Sequence, residues 1–199
     1  MARSRSAGRR PGGRDTKGEI LAAARHDFAA RGFDATSVRA IASDAGVDPA
    51  LVHHYFGSKE QLFVAAMELP IDPTVELPRI MSGDRATIGQ SLVRLYLAAW
   101  ASDGGHESML ALVRSATSNE AAAAMLREFL GSALLDRMLP VFGDVPDARL
   151  RAEAAASHLV GMAFARYIVR LPAMAAASDE ELVQLVGAAV QTYFDGADS

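Results

Sequence analysis

Two adjacent histidines followed by a tyrosine, His53-His54-Tyr55, are the side chains best equipped for chemistry in this sequence. Imidazoles ligate metals, move protons and donate hydrogen bonds to anions, so spacing decides among these roles. Successive residues of a helix point about 100° apart around its axis, so the pair cannot close on one ion. Other catalytic ingredients are missing from the chain: it has no cysteine, no Gly-x-Gly-x-x-Gly, no phosphate loop and no His-Glu-x-x-His. An enzyme is not expected, nor a metal or cofactor. What remains for the cluster is polar contact with a partner.

Charge indicates the kind of partner. The chain has 199 residues, half of them apolar, and a net charge of −4. Residues 1–60 hold ten Lys/Arg and seven Asp/Glu, whereas residues 61–199 hold ten and seventeen. Six of the first seventeen residues are basic, Arg14 and Lys17 among them, against the single acid Asp15. A basic end on an acidic body points to a polyanion, although a solvated tail has the same composition. No apolar run is long enough to cross a membrane, and the N-terminal arginines are not followed by the apolar segment of a secretory signal. Without cysteine no disulfide framework is available, and a cytoplasmic location is expected.

The elements that must position His53 and His54 read as helices, and the whole chain as an all-α fold of about nine of them. Thr16-Lys17-Gly18-Glu19 has the form of a capping box opening a first helix, whose stripe is Ile20, Leu21, Ala24 and Phe28 and whose stop is Gly32. Thr36 or Ser37 caps a second helix with Val38, Ile41, Ala42 and Ala45 facing inward, ending at Gly46. Asp48 and Pro49 then read as N-cap and first position of a short third helix that ends at Gly57. Ser58-Lys59-Glu60-Gln61 opens a fourth helix carrying Leu62, Phe63 and Ala66. Helix, glycine turn, short helix is the pattern of a helix-turn-helix, whose second member lies in the DNA major groove. Val52 and Phe56, four apart, would anchor it inward and leave Pro49, Ala50, Leu51, His53 and His54 outside.

Pro70, Pro73 and Pro78 crowd the next segment, so residues 69–82 are expected to be a linker without helix. The chain then divides into a flexible basic arm (1–14), a DNA-binding domain (15–68), the linker and a helical lobe (83–199) for ligand and dimerisation. Five helical stretches are expected in the lobe, near 84–102, 106–117, 119–139, 147–170 and 179–194, the last capped at Ser178.

The strings Thr36-Ser37-Val38-Arg39-Ala40-Ile41-Ala42, Ala45-Gly46-Val47 and His53-His54-Tyr55-Phe56-Gly57-Ser58-Lys59-Glu60-Gln61-Leu62-Phe63 strongly resemble the DNA-binding domain of the tetracycline-repressor family. The match extends from about residue 14 to residue 65 and takes in Phe28-Ala29-Ala30-Arg31-Gly32-Phe33. That resemblance implies roles for residues at matching positions. Ser37 and Arg39 would brace the DNA backbone and reach a base. Pro49, Ala50 and Leu51 would face the bases, with apolar contacts suited to thymine methyl groups. His53, His54 and Tyr55 would touch phosphate oxygens, and Lys59 would clamp a phosphate at a helix N-terminus. The basic arm, with Arg14 and Lys17, would follow the neighbouring backbone or enter the minor groove.

For the lobe the resemblance implies a four-helix dimer interface made by the last two helices of each subunit. Two features fit it: the stretch Ala154–Ala165 has no formal charge, and the last helix carries a wide apolar stripe. Leu159, Met162, Ala165, Leu182, Val186, Ala189 and Tyr193 are the candidate contacts, with Gly161 and Gly187 permitting close approach. Tyr96 and Trp100, Met109 and Val113, and Met125 and Phe129 form pairs four apart on three successive helices. They would line an apolar ligand cavity with the Trp100 N–H and Tyr96 O–H as polar handles, or else form an ordinary filled core. His106 and Arg114 are candidates for an anionic group. The expectation is a homodimeric transcriptional repressor on double-stranded operator DNA, released by a small apolar or amphipathic ligand. The alternative is a ligand-independent regulator or activator with a filled lobe.

Overall fold

A computed structural model describes residues 15–195, so the expected basic arm, including Arg14, lies outside the described residues. Among these residues every regular element is a helix. In chain order they are α1 (Thr16–Arg31), α2 (Val38–Ala45), α3 (Pro49–Phe56), α4 (Lys59–Ala66) and α5 (Pro73–Met81). A 3₁₀ turn, Arg85–Thr87, leads into α6 (Ile88–Ala101), followed by α7 (Gly105–Ser118). Helix α8 runs over 120–142, with a π-helical stretch Leu130–Leu135 between its two α-helical parts. Helix α9 covers 148–168 and ends in a π stretch, Phe164–Ile168; α10 (Pro172–Ala176) and α11 (Asp179–Asp195) complete the fold. No helix of the described residues is long and apolar enough to cross a membrane.

Among the described residues eleven helices replace the roughly nine expected, and the two additions are α5 and α10. Helix α5 corrects the reading of residues 69–82 as a linker without helix. Asp72 caps it, its carboxylate accepting from Thr74 N at 2.9 Å, and Pro73 stands at the first helical position, where no N–H is needed. Pro78 removes one helical hydrogen bond, but Leu77 beside it is buried in the lobe core. Tertiary packing thus overrides a local breaker. A smaller correction concerns α1: its N-cap is Asp15, which accepts from Gly18 N at 3.0 Å, in place of a Thr16 capping box. At Ser178 the expected box forms, with Glu181 accepting from Ser178 N at 2.7 Å, and this bond lowers the Glu181 carboxyl below its ordinary range.

Two hydrophobic cores follow from these helices. The first is aromatic: Phe28 and Phe33 pack with Phe63 of α4 and with Phe129 of α8. The second gathers Leu92, Val93 and Leu97 of α6 with Leu135, Met138 and Phe142 of α8, Met162 of α9, and Leu182, Val190 and Phe194 of α11. Helix α8 therefore contributes its first half to one core and its second half to the other.

Helices α6 and α11 cross at two glycines. A Cβ on Gly89 would run into the Gly187 carbonyl oxygen and come 2.6 Å from Gln191 N, and one on Gly187 would lie 2.9 Å from Gln90 Cα. Gly187 thus serves contact within one chain, which corrects its assignment to the dimer face, while around Gly161 a Cβ would meet nothing within 4 Å. Gly89→Ala forces two backbones apart and should destabilise the fold by roughly 1–3 kcal/mol, read from urea unfolding. Gly161→Ala should leave the stability of the isolated subunit within about 0.5 kcal/mol of wild type or raise it.

Candidate nucleic-acid interface

Short-range hydrogen bonds define the helix-turn-helix. Ser37 caps α2, accepting from Ala40 N at 3.1 Å, and Gly46 ends it at φ +65, a left-handed conformation that glycine adopts without steric cost. Asp48 caps α3, accepting from Ala50 N at 2.7 Å, and Gly57 closes it with φ +78. Thr36, buried, donates to Gly32 O at 2.6 Å and holds the loop that leads into α2.

Within α3 the division of faces matches the spacing argument. Val52 and Phe56 are buried in the aromatic core, while Ala50, Leu51, His53, His54 and Tyr55 are exposed and Pro49 is half-buried. Leu51 and Tyr55, at 40% and 44% exposure, present apolar surface to solvent beside the two histidines. The His53 ring places Nδ1 2.9 Å from Gly57 O, which orients its other nitrogen away from the helix end; His54 packs edge-on to Tyr55. In α2, Arg39 is exposed with no ion pair among the described residues. Lys17 is exposed near the end of α3, its ammonium 5.9 Å from the Phe56 ring centre.

Lys59 departs from the expected phosphate clamp. Its ammonium donates to three backbone carbonyls, Phe33 O at 2.8 Å, Thr36 O at 3.1 Å and Asp34 O at 3.4 Å, and sits 4.3 Å from the Phe33 ring centre. With these carbonyls around its ammonium, Lys59 is a staple between α4 and the loop joining α1 to α2. Glu128 of α8 reinforces that loop, accepting from Asp34 N at 3.0 Å. Nothing local in the sequence pairs residue 59 with residues 33–36 or residue 128 with residue 34; both contacts come from the fold.

The residues proposed to line a ligand cavity do not meet in one place. Tyr96, Trp100 and Met109 pack with Ala163 and Tyr167, Trp100 stacking on Tyr167 at 4.5 Å with His106 edge-on at 5.6 Å. Burial pushes the Tyr96 hydroxyl above its ordinary pKa while the neighbouring Trp100 pulls it back, and the Trp100 indole nitrogen, buried, has no partner of hydrogen-bond geometry. Met125 and Phe129 belong to the other core, because the first half of α8 turns toward the helix-turn-helix domain. Val113 is half-buried and Arg114 exposed. A groove of about 570 Å³ does exist, between the end of α4 and helices α7 and α8, but of the six candidates only Met125 lines it.

The expected dimer contacts also sort differently. Met162 and Leu182 are buried in the subunit's own core; Leu159, Ala165, Val186 and Tyr193 are half-buried; Ala189 is exposed. The large apolar side chains left open on α9 and α11 are Leu150, Val160, Phe164 and Leu185, the last 72% exposed. When a helix is apolar all round, periodicity does not say which face its own subunit takes.

A capped helix-turn-helix with its second helix turned outward, mounted on a larger helical lobe, is the build of a DNA-binding regulator. Residues 20–66 match the model of bacterial regulatory proteins of the tetR family, and residues 86–194 match the tetracyclin repressor-like C-terminal domain. The chain belongs to the TetR family of DNA-binding transcriptional regulators and is not an enzyme. A TetR-family regulator from Streptomyces coelicolor A3 is similar over 95% of this chain and 99% of its own, at 37% identity and a TM-score of 0.51. The transcriptional regulator BetI of Brucella anthropi is 47% identical over 49 residues, 25% of each protein. BetI of Rhizobium meliloti is 57% identical over 37 residues, so the similarity to these curated relatives spans a quarter of their length or less.

Lys59→Met keeps the apolar stem and removes the charge, leaving three carbonyls without their donor. It should lower folding stability by about 2 kcal/mol, measured by denaturant unfolding without DNA. A variant of unchanged stability would return Lys59 to the role of a free phosphate ligand.

Proposed function

We propose that this regulator is a homodimeric repressor that lays α3 of each subunit in successive major grooves of an operator. The observation that carries it is the outward exposure of Leu51, His54 and Tyr55 on a helix pinned by Val52 and Phe56. In this reading Ala50 and Leu51, with Pro49 at the helix start, meet thymine methyl groups. His54 and Tyr55 donate to phosphates, His53 joins them as an imidazolium because its Nδ1–H is already given to Gly57 O, and Ser37, Arg39 and Lys17 hold the flanking backbone. The basic N-terminal residues, Arg14 among them, add long-range attraction.

Dimerisation is assigned to α9 and α11, which leave Val160, Gly161, Phe164, Leu185 and Ala189 exposed. One short helix reads few base pairs, whereas two copies about 34 Å apart match one turn of the duplex. A small amphipathic effector in the lobe would release the operator by favouring a different spacing of the two α3 helices. Helix α8 supports such coupling, because Met125 and Phe129 serve one core and Leu135 and Met138 the other. The differential affinity required is on the order of 1–3 kcal/mol.

Fluorescence anisotropy on a duplex selected from random sequence tests the DNA face. Arg39→Ala should weaken all sequences alike and reduce the salt slope by about 1, whereas Leu51→Ala should cost about 1–3 kcal/mol on the selected sequence and little on others. Leu185→Glu should yield a folded monomer by sedimentation, with operator affinity lost. A Leu185→Glu variant that stays dimeric would place the interface elsewhere.

A further inference from the structure

We propose that Glu128, a residue of the lobe, is a positioning residue for DNA binding: its carboxylate fixes the loop that leads into α2 and so aims Ser37 and Arg39 at the duplex. The role rests on the assignment of Ser37 and Arg39 to the DNA backbone made above. Residues 32–37 form the loop, and its carbonyls are held from within the DNA-binding unit. Gly32 O accepts from the Thr36 hydroxyl, and Phe33 O, Asp34 O and Thr36 O accept from Lys59. Glu128 arrives from α8 and serves the opposite polarity, its Oε2 accepting from Asp34 N at 3.0 Å. The same oxygen occupies the space a side chain at position 32 would need, 2.8 Å from a Cβ placed on Gly32. A hydrogen bond and a steric fit thus set one carboxylate against one loop. The next residue, Phe129, is buried and packs edge-on to Phe33 at 5.5 Å, which keeps Glu128 at that loop.

The contact reaches the DNA face through a short piece of chain. Ser37 stands three residues beyond Asp34 as the N-cap of α2, and Arg39 lies in the first turn of that helix; both are exposed. Buried Ile41, Ala42 and Ala45 set how deep α2 sits, while the loop sets where its N-terminal end lies. Hydrogen bonds to phosphate oxygens hold over about 2.7–3.2 Å, so a displacement of about 1 Å at Ser37 breaks them. The Glu128 bond itself is solvent-exposed, where water competes for both partners and little is added to folding. Its negative charge also repels a polyanion. Aiming the start of α2 is the gain that offsets this repulsion.

Fluorescence anisotropy on the selected duplex tests the role, with the full chain at a temperature where circular dichroism shows every variant folded. Glu128→Ala should raise the Kd about tenfold and, by loosening the Arg39 contact, reduce the salt slope by about 1. Glu128→Gln keeps an acceptor for Asp34 N and should stay within about twofold of wild type. In an Arg39→Ala background, Glu128→Ala should cost about threefold or less, because the group it aims is gone; a purely structural role costs the same in both backgrounds. Wild-type affinity in Glu128→Ala, equal losses in the two backgrounds, or a Glu128→Gln variant as weak as Glu128→Ala overturns the role of Glu128 and leaves the DNA-binding reading standing. A wild-type chain that ignores duplex DNA at low salt overturns the regulator reading, and the role of Glu128 with it.

Discussion

The stack of Phe63 on Phe129, with ring centres 4.3 Å apart, is the contact on which the rest of the molecule depends. Phe63 comes from the fourth helix of a small helix-turn-helix unit, and Phe129 from the middle of the lobe. Domains of about 60 residues bury a smaller share of their surface than larger ones and are marginally stable, so a borrowed aromatic weighs heavily in their stability. Phe28 and Phe33 complete the cluster edge-to-face, and Phe33 also lies under the Lys59 ammonium. Removing one ring from such a packing costs about 3–5 kcal/mol, a large share of a domain's total stability.

That arrangement releases α3 from core duty apart from Val52 and Phe56. A recognition helix must be held firmly at its back and empty at its front, and these eight residues meet both needs with caps at each end. Holding the loop between α1 and α2 falls to long-range contacts, the Lys59 staple and the Glu128 bond to Asp34 N. Both cross from one helix to a distant segment, so the loop leading into α2 is tied to α4 and α8 together.

In the lobe, small residues and unassigned apolar faces have separate uses. Gly89 and Gly187 let two helices of one chain approach until their backbones touch. Val160, Phe164 and Leu185 remain open on the last two long helices, where an interface between copies would cover them. The groove beside α7 is a third surface, acidic and apolar at once, lying on a different face of that helix from His106 and Met109.

Much of this was readable from the chain alone. Capping residues, glycine stops and the four-residue spacing of Val52 and Phe56 report on contacts within one or two turns, so the sequence by itself determined the helical class, α1 to α4 and the outward face of α3. Tertiary structure decided everything that needed a distant partner. It made a helix of Pro73–Met81 because Leu77 had a core to enter, and it turned Lys59 inward because three carbonyls converge on its ammonium. It also separated Met125 and Phe129 from Tyr96 and Trp100, and chose which side of an all-apolar helix stays open. Side-chain periodicity records that a face is buried but carries no information about what buries it, and only the arrangement of whole helices supplies that partner.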